Sequence, residues 1–206
     1  MLWSVIVPVK ALAGAKSRLD EAAAVRADLS RAFLTDVLAA LVGAVRVREV
    51  LIVGDIDADD LTAGPGVRVH RVSSQGLNED LHAGLALLDP GPAAIVAADL
   101  PCLTSSTIDA VLTAAAHHPR MFVTDAQGLG TTMLLDHHAS ASTPRFGPRS
   151  HAQHARAGYR LVGTDDVDAR LLARARRDVD TSVDLWDARR LGVGAATQAL
   201  LGAAQA

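Results

Sequence analysis

Strand-like and helix-like patterns alternate over the first 125 residues of the chain. The opening run Leu2–Val9 (LWSVIVPV) is continuous, apolar and partly β-branched, which is typical of a strand covered on both faces. Similar runs predict further strands at Val50–Val53, Val67–Val72, Ala93–Ala98 and Met121–Thr124. Helical patterns between them predict helices over roughly Ala22–Leu41, Asn78–Leu88 and, capped by Thr104, up to about Ala116. This alternation predicts an α/β fold with a parallel sheet and helices on both faces.

The remaining part of the chain is less regular. Its patterns predict a strand at Thr131–Leu135, a Gly/Pro turn at Phe146–Ser150, a helix near His151–Ala157 and a short strand at Tyr159–Val162. An acidic turn, Asp178–Asp184 (DVDTSVD), follows, and Ser182 is the expected cap of a final helix. Because there is no repeat, low-complexity tract or long linker, we predict one domain over residues 1–206.

Composition narrows the class of protein. The 206 residues are 50% hydrophobic but only 3% aromatic, so we expect a core of Ala, Val, Leu and Ile. A net charge of −3 argues against general nucleic-acid binding. The single cysteine, Cys102, excludes an internal disulfide and suits a cytoplasmic protein. No apolar run reaches the roughly 18–20 residues of a membrane span, and the opening run is expected to be a strand rather than a signal peptide.

Ligands of open α/β sheets bind at the carboxyl ends of the strands. The loop after the first strand contains Lys10, Lys16 and Arg18, with Gly14 supplying backbone freedom. Such a loop can wrap a triphosphate with backbone N–H groups and cations, although a solvated basic turn is an equal alternative. It is not a P-loop, because Ala15 and Lys10 occupy the positions where that motif needs glycine.

Two acidic groups are candidate magnesium ligands. Asp99 follows the strand that ends at Ala98, where a carboxylate can hold Mg²⁺ against phosphate oxygens or simply form a turn. The second group is Asp178, Asp180 and Asp184. Mg²⁺ usually takes one or two protein carboxylates, so Asp99 and one of these would suffice. Asp184 is expected in the first turn of a helix, and spacing does not rank Asp178 against Asp180.

Several smaller features are open to two interpretations. Gly76 permits a tight turn, and Asn78 can cap the next helix, which we favour, or bind a base or ribose. The loops Gly128–Thr132 and Phe146–Ser150 carry the backbone N–H groups and hydroxyls that bind carboxylate or phosphate, or are plain turns. His151 and His154 stand at i, i+3 but have no Cys partner for a zinc site. Cys102 is expected to be half buried, without a nearby base for a nucleophilic role.

Six segments occur in an order that resembles one family. They are VPVKxLxxAKSRL at Val7–Leu19, GLN at Gly76–Asn78, ADLPxL at Ala98–Leu103, GxGTT at Gly128–Thr132, FGxxS at Phe146–Ser150 and DVDT at Asp178–Thr181. Together they resemble the 2-phospho-L-lactate / phosphoenolpyruvate guanylyltransferases of coenzyme F420 biosynthesis, over about residues 4–188. The resemblance implies a glycosyltransferase-A-like fold with a mixed, mostly parallel sheet, GTP as donor and Mg²⁺ as cofactor. The acid's phosphate would attack the α-phosphorus of GTP and release pyrophosphate.

The resemblance also implies roles for individual residues. The residues expected to hold the acid are Thr132, Gly147 and Ser150; those expected to hold metal are Asp99 and Asp180; those expected at the nucleotide are Lys10, Lys16, Arg18, Gly76 and Asn78. Lys16, Arg18 and Asp99 would be catalytic. Thr132 stands where relatives read Asn, which leaves Thr131 or Thr132 as the contact, and Ser182 replaces a Pro.

The expected partners are GTP and a small phosphorylated carboxylic acid, with no nucleic acid and no membrane; a homo-oligomer is left open. An Ala- and Arg-rich composition, typical of GC-rich genomes, favours phosphoenolpyruvate, the acceptor of actinobacterial relatives, over 2-phospholactate or 3-phosphoglycerate. The rivals are a nucleotidyltransferase that uses another base or acceptor, and a GTP-binding regulator without turnover.

Overall fold

The computed structural model describes residues 1–9, 23–56, 66–72 and 75–203. The predicted triphosphate residues Lys10, Lys16 and Arg18 lie outside these ranges. The strands are β1 Trp3–Val9, β2 Val47–Gly54, β3 Val67–Arg71, β4 Ala93–Val96, β5 Arg120–Thr124, β6 Thr131–Asp136 and β7 Arg160–Leu161. The helices are α1 Ala23–Val42, α2 Leu77–Leu85, α3 Ser105–Ala115, α4 Ser150–Arg156, α5 Ala169–Arg176, α6 Ser182–Leu191 and α7 Ala195–Ala203, with a 3₁₀ turn at Ala139–Ala141.

The described strands form one sheet in the order β3-β2-β1-β4-β6-β5-β7. Strand β6 runs antiparallel to both of its neighbours, and the other recorded pairings are parallel. The predicted mixed, mostly parallel sheet is therefore confirmed. The chain moves outward from β1 through β2 to β3 and then returns to place β4 on the other side of β1. This reversal opens a crevice beyond the carboxyl ends of β1 and β4, which is where such folds bind ligands.

Apolar side chains cover both faces of the sheet. On β1, Val5 and Val7 face a core that includes residues of α1, α3 and α5, whereas Ile6 faces a second core that includes residues of α2. This alternation explains why β1 is apolar apart from Ser4, since both of its faces are buried. The expected aliphatic core is only partly correct, because Trp3 and Phe122 are among the largest fully buried side chains.

The carboxyl-terminal third differs most from the sequence prediction. Helices α5 and α7 were not predicted, and the cap of α6 is Thr181 rather than Ser182. Cys102 is completely buried rather than half buried. Within the described part of the chain, none of the helices is both long and apolar enough to span a membrane.

Candidate active site

The two predicted acidic segments lie side by side at the carboxyl edge of the sheet. Asp99 follows β4 at the point where the strand order reverses. The amide of Val179 donates a hydrogen bond to the main-chain oxygen of Asp99 over 3.1 Å. This contact joins the turn after β4 to the acidic turn before α6, although nearly 80 residues separate them in sequence. The arrangement is the one that a metal shared between the two segments requires.

Asp178 lies at the centre of a group of carboxylates. Burial, the largest cause, and the negative charges of Asp99, Asp180 and Asp125 together raise the pKa of Asp178 to about 7. Its Oδ1 is buried and has no hydrogen-bond partner among the described residues. Carboxylates held this close repel one another, so a divalent cation would relieve an unfavourable charge distribution. The described residues contain no cluster of three or more metal-ligating side chains, a number that Mg²⁺ does not need.

Asp184 holds the acidic turn in place. Its Oδ2 accepts hydrogen bonds from the amide and hydroxyl of Thr181, at 2.9 and 2.7 Å, and from the amide of Asp180 at 3.3 Å. Thr181 in turn caps α6, so the two residues form a reciprocal capping box. The other oxygen accepts from Arg177 and Gln127, each at 3.2 Å. The prediction that Asp184 occupies a first helical turn is confirmed, and the contacts show that it also fixes the shape of the turn.

The loop between β5 and β6 connects the acidic turn to the rest of the site. Asp125 comes directly after β5, and its carboxylate accepts hydrogen bonds from the amides of Leu129 and Gly130 at 2.8 and 2.6 Å. The side chain of Gln127 reaches Asp184, and the main-chain oxygen of Leu129 accepts from the amide of His151 over 3.2 Å. One short loop therefore contacts both the acidic turn and the first turn of α4.

The predicted acid-binding segment Phe146–Ser150 and the preceding residue, together called the acid-binding loop (residues 145–150), pack against α2. Asn78 does not cap α2; its amide donates to the main-chain oxygen of Phe146 at 3.0 Å and accepts from the Phe146 amide at 2.8 Å. The capping expectation for Asn78 is therefore wrong. Gly76, at the N-cap position, has a φ of +150°, a conformation that glycine adopts readily.

The backbone of this loop contains two residues with positive φ. Gly147 has a φ of +130°, and no atom lies within 4 Å of the position that a Cβ would occupy there. Its main-chain oxygen accepts a hydrogen bond from the backbone N–H of the buried Ser150 over 3.1 Å. Arg149 is left-handed with a φ of +60°, and it is the one non-glycine residue with positive φ in the described ranges. A residue keeps such a conformation only where surrounding contacts enforce it, and residues of this kind cluster at ligand-binding and active sites.

The two threonines of the Gly-Thr-Thr segment are both engaged within the protein. The hydroxyl of Thr132 donates to the main-chain oxygen of Ala175 over 2.8 Å. The hydroxyl of Thr131 lies 2.9 Å from Nδ1 of His154. Burial lowers the pKa of His154 to about 4, so the ring is neutral at pH 7. The roles of Thr132, Gly147 and Ser150 in acid binding stay predictions.

Contacts within the protein explain two further residues, His154 as a possible zinc ligand and Cys102 as a possible nucleophile. Nε2 of His154 accepts a hydrogen bond from the amide of Arg145 over 3.0 Å, so both ring nitrogens have partners within the protein and zinc ligation by the histidine pair is not supported. Burial raises the pKa of Cys102 to about 11, and its thiol donates to the main-chain oxygen of Ala188. A thiol that stays protonated is a poor nucleophile, which agrees with the sequence-based expectation.

Sequence reasoning missed the roles of three residues that shape this site. Asp125 follows an apolar strand just as Asp99 does, and that shared pattern could have identified it. Asp184 was named as a candidate metal ligand and as a first-turn helix residue, and His154 as a possible zinc ligand, but their supporting contacts were not predicted. Their roles depend on contacts between distant parts of the chain, which spacing does not reveal.

Comparison with known proteins supports the same type of chemistry. The family model described as guanylyl transferase CofC like matches residues 3–190. Phosphoenolpyruvate guanylyltransferase of Streptomyces scabiei is 41% identical over 97% of this chain and 95% of the relative. The protein of that name from Streptomyces coelicolor is 40% identical over 97% of this chain and 96% of the relative.

Solved structures agree on the fold. A 4-diphosphocytidyl-2C-methyl-D-erythritol synthase superposes with a TM-score of 0.61 at 16% identity, covering 92% of this chain and 97% of its own. A nucleotidyl transferase from Methanothermobacter thermautotroptrophicus gives a TM-score of 0.57 at 18% identity, covering 92% and 96%. These neighbours are nucleotidyltransferases with a glycosyltransferase-A-like fold. With its family model matched over nearly the whole length, the chain belongs to the CofC-like guanylyl transferases.

Proposed function

We propose that this guanylyltransferase transfers GMP from GTP to phosphoenolpyruvate, as an enzyme of coenzyme F420 biosynthesis. The observation that carries the proposal is the meeting of Asp99 with the Asp178–Asp180 turn at the point where the strand order reverses. Phosphoenolpyruvate is favoured as acceptor because curated relatives at about 40% identity, over nearly the whole chain, carry that name. The loops Gly128–Thr132 and Phe146–Ser150 would hold the acid.

The residues at this site fit a magnesium ion. Asp99 and Asp180 would hold Mg²⁺, and phosphate oxygens and water would complete the coordination shell. The orphaned Oδ1 of Asp178 and the mutual repulsion of the neighbouring carboxylates support a cation at this group of residues. When bound, the ion would neutralise charge on the α-phosphate.

The reaction then depends on positioning. An oxygen of the acceptor's phosphate attacks the α-phosphorus of GTP, the bond from that phosphorus to the bridging oxygen breaks, and pyrophosphate leaves. The nucleophile is already anionic at neutral pH, so the protein does not have to remove a proton. Lys10, Lys16 and Arg18 would face the triphosphate, and Gly76 would lie on the nucleotide side. These groups would lower the barrier by alignment and charge neutralisation.

A substrate panel tests the proposal. The purified protein is incubated with Mg²⁺, each of GTP, ATP, CTP and UTP, and each of phosphoenolpyruvate, 2-phospholactate and 3-phosphoglycerate. Pyrophosphate release and the product mass are then measured. We expect a product only with GTP, and predominantly with phosphoenolpyruvate. GTP binding without pyrophosphate release for any acid would instead indicate a regulator.

An Asp99→Asn variant tests the metal assignment. We expect turnover to fall at least 100-fold, since electrostatic groups at reacting phosphates typically contribute that much. Asp89→Asn is the matched control, because Asp89 is an exposed aspartate outside the site and its substitution makes the same change in charge. Near-normal turnover of Asp99→Asn, in a protein that folds normally, would show that the metal is held elsewhere.

A further inference from the structure

His154 occupies the space between two predicted acid-binding segments. The residue is completely buried on α4, and its ring contacts Phe146 and Tyr159 edge-on at 5.3 and 5.7 Å between centroids. These aromatic contacts restrict how the ring can rotate. The imidazole is therefore held in one orientation between strand β6 and the acid-binding loop.

The two ring nitrogens contact different segments of the site. Nε2 accepts a hydrogen bond from the amide of Arg145, which makes Nδ1 the protonated nitrogen of the neutral ring. Nδ1–H then donates to the hydroxyl of Thr131 at the start of β6. One side chain thus joins the Gly-Thr-Thr segment to the first residue of the loop that contains Gly147 and Ser150.

Asn78 holds the same loop from the opposite side. Its side-chain amide forms both a donated and an accepted hydrogen bond with the backbone of Phe146, the residue after Arg145. Two consecutive loop residues are therefore fixed by two side chains from different helices. Immediately beyond them lie Gly147, with its open face, and the strained Arg149. A backbone in this conformation needs such external support.

We propose that His154 and Asn78 are positioning residues that set the affinity of the enzyme for its phosphorylated acid. They act through the backbone of residues 145–150, and this role is separate from the predicted contact of Asn78 with the nucleotide. The inference rests on the proposed function, and specifically on acid binding by Gly147 and Ser150. A loop released at Arg145 or Phe146 would lose the alignment of its N–H groups, which weakens binding of the acid before it affects chemistry.

Two substitutions of His154 separate its two hydrogen bonds. A Gln side chain places its amide group near the position of Nε2 and can keep the hydrogen bond from the backbone N–H of Arg145. An Asn side chain places its amide group near the position of Nδ1 and can keep only the hydrogen bond to the Thr131 hydroxyl. We expect His154→Asn to raise the KM for phosphoenolpyruvate about tenfold, the usual effect of one lost buried hydrogen bond. His154→Gln should stay within about threefold of the wild type. Both should leave the KM for GTP within about twofold.

Asn78→Ala tests the opposite side of the loop, and Asn78→Asp is its conservative partner. Asp keeps an acceptor for the Phe146 amide but loses the donated bond, so an intermediate KM for phosphoenolpyruvate is expected. Thermal unfolding and circular dichroism identify variants that are misfolded. Isothermal titration of phosphoenolpyruvate into enzyme saturated with Mg²⁺ and a non-hydrolysable GTP analogue measures the affinity without turnover.

The outcomes distinguish the positioning role from the proposed function. If the wild type releases no pyrophosphate with phosphoenolpyruvate, the proposed function fails. If the wild type is active but His154→Asn and His154→Gln change the KM for GTP as much as that for the acid, or lower kcat alone, the positioning role is wrong. An acid-specific effect that is larger for Asn than for Gln supports it.

Discussion

Replacing Asp184 by Ala tests whether this buried carboxylate supports the acidic turn. The side chain is 9% exposed and accepts five hydrogen bonds from the turn, from Arg177 and from Gln127. Loss of the capping box costs about 1 kcal/mol. Removing the Asp184 carboxylate also removes the more buried of the two partners of Arg177, which costs about a further 2 kcal/mol. This cost is smaller than that of leaving a buried charge unpaired, because Asp187 still contacts the Arg177 guanidinium at 3.2 Å.

The expected total is about 3 kcal/mol, which for a domain of this size lowers Tm by about 6–12 °C. Urea denaturation followed by circular dichroism measures the free energy of unfolding. Asp187→Ala is the matched control, since it removes the other partner of Arg177, makes the same change in charge and affects a side chain that is 38% exposed. We expect that variant to lose less than about 1 kcal/mol. Equal losses for the two variants would refute the assignment of Asp184 as the support of the turn.

A functional readout accompanies the stability measurement. At a temperature where Asp184→Ala is folded, its Mg²⁺ requirement for pyrophosphate release should rise, because Asp178 and Asp180 are no longer held beside Asp99. The KM for phosphoenolpyruvate should change little, since the acid-binding loop has separate supports. A variant with a normal Mg²⁺ requirement would show that the turn keeps its shape without Asp184.

Three further tests probe the stability of the framework by urea denaturation. Gly54→Ala and Gly91→Ala share the backbone strain of a φ near +150°, about 1–3 kcal/mol. Only at position 54 would the new Cβ lie 1.7 Å from a main-chain oxygen, so Gly54→Ala should lose at least about 1–3 kcal/mol more of its free energy of unfolding. Equal urea midpoints for the two variants would contradict this expectation. Asp36→Ala should cost about 1–2 kcal/mol, because Asp36 accepts from two amides at the start of α7; an unchanged midpoint would exclude that capping role. The pKa of His154 is lowered from 6.5 to about 4, so the unfolded chain takes up the proton at a higher pH than the folded chain. About 3 kcal/mol of the free energy of unfolding should therefore be lost as the pH falls from 6.5 to 4. His154→Gln should lose less over this range, and an equal loss in that variant would show that other groups cause the pH dependence.

The first half of the fold could be read from the sequence because local patterns there agree with long-range packing. The buried strand β1 is apolar apart from Ser4, and Thr104 caps α3 by accepting from the Thr107 amide, as predicted. Helix α5 was missed because its eight residues are too few to give a clear helical period. Its Arg174 donates to three main-chain oxygens of distant segments, and such contacts leave no periodic signal.

The site was predictable to the extent that strand ends determine it. Asp99 could be identified because an apolar strand stops there, and parallel topology brings such ends to one edge. The late acidic turn could not be placed by topology, since it follows no strand. Its position depends on the backbone contact between Val179 and Asp99, and its shape depends on Asp184.

Different side chains support the two halves of the site, so one half can change in sequence while the side chains that support the other are kept. The acidic turn is held by Asp184, while the acid-binding loop is held by Asn78 and His154. The loop between β5 and β6 contacts both, through Gln127 on one side and Leu129 on the other. Changes in residues 145–150 could therefore alter the preferred acid while the carboxylates keep their arrangement. A swap of this segment with that of a relative preferring another acid should shift the ratio of kcat/KM values between acids and leave the Mg²⁺ requirement unchanged, because the support of the acidic turn lies outside the exchanged residues.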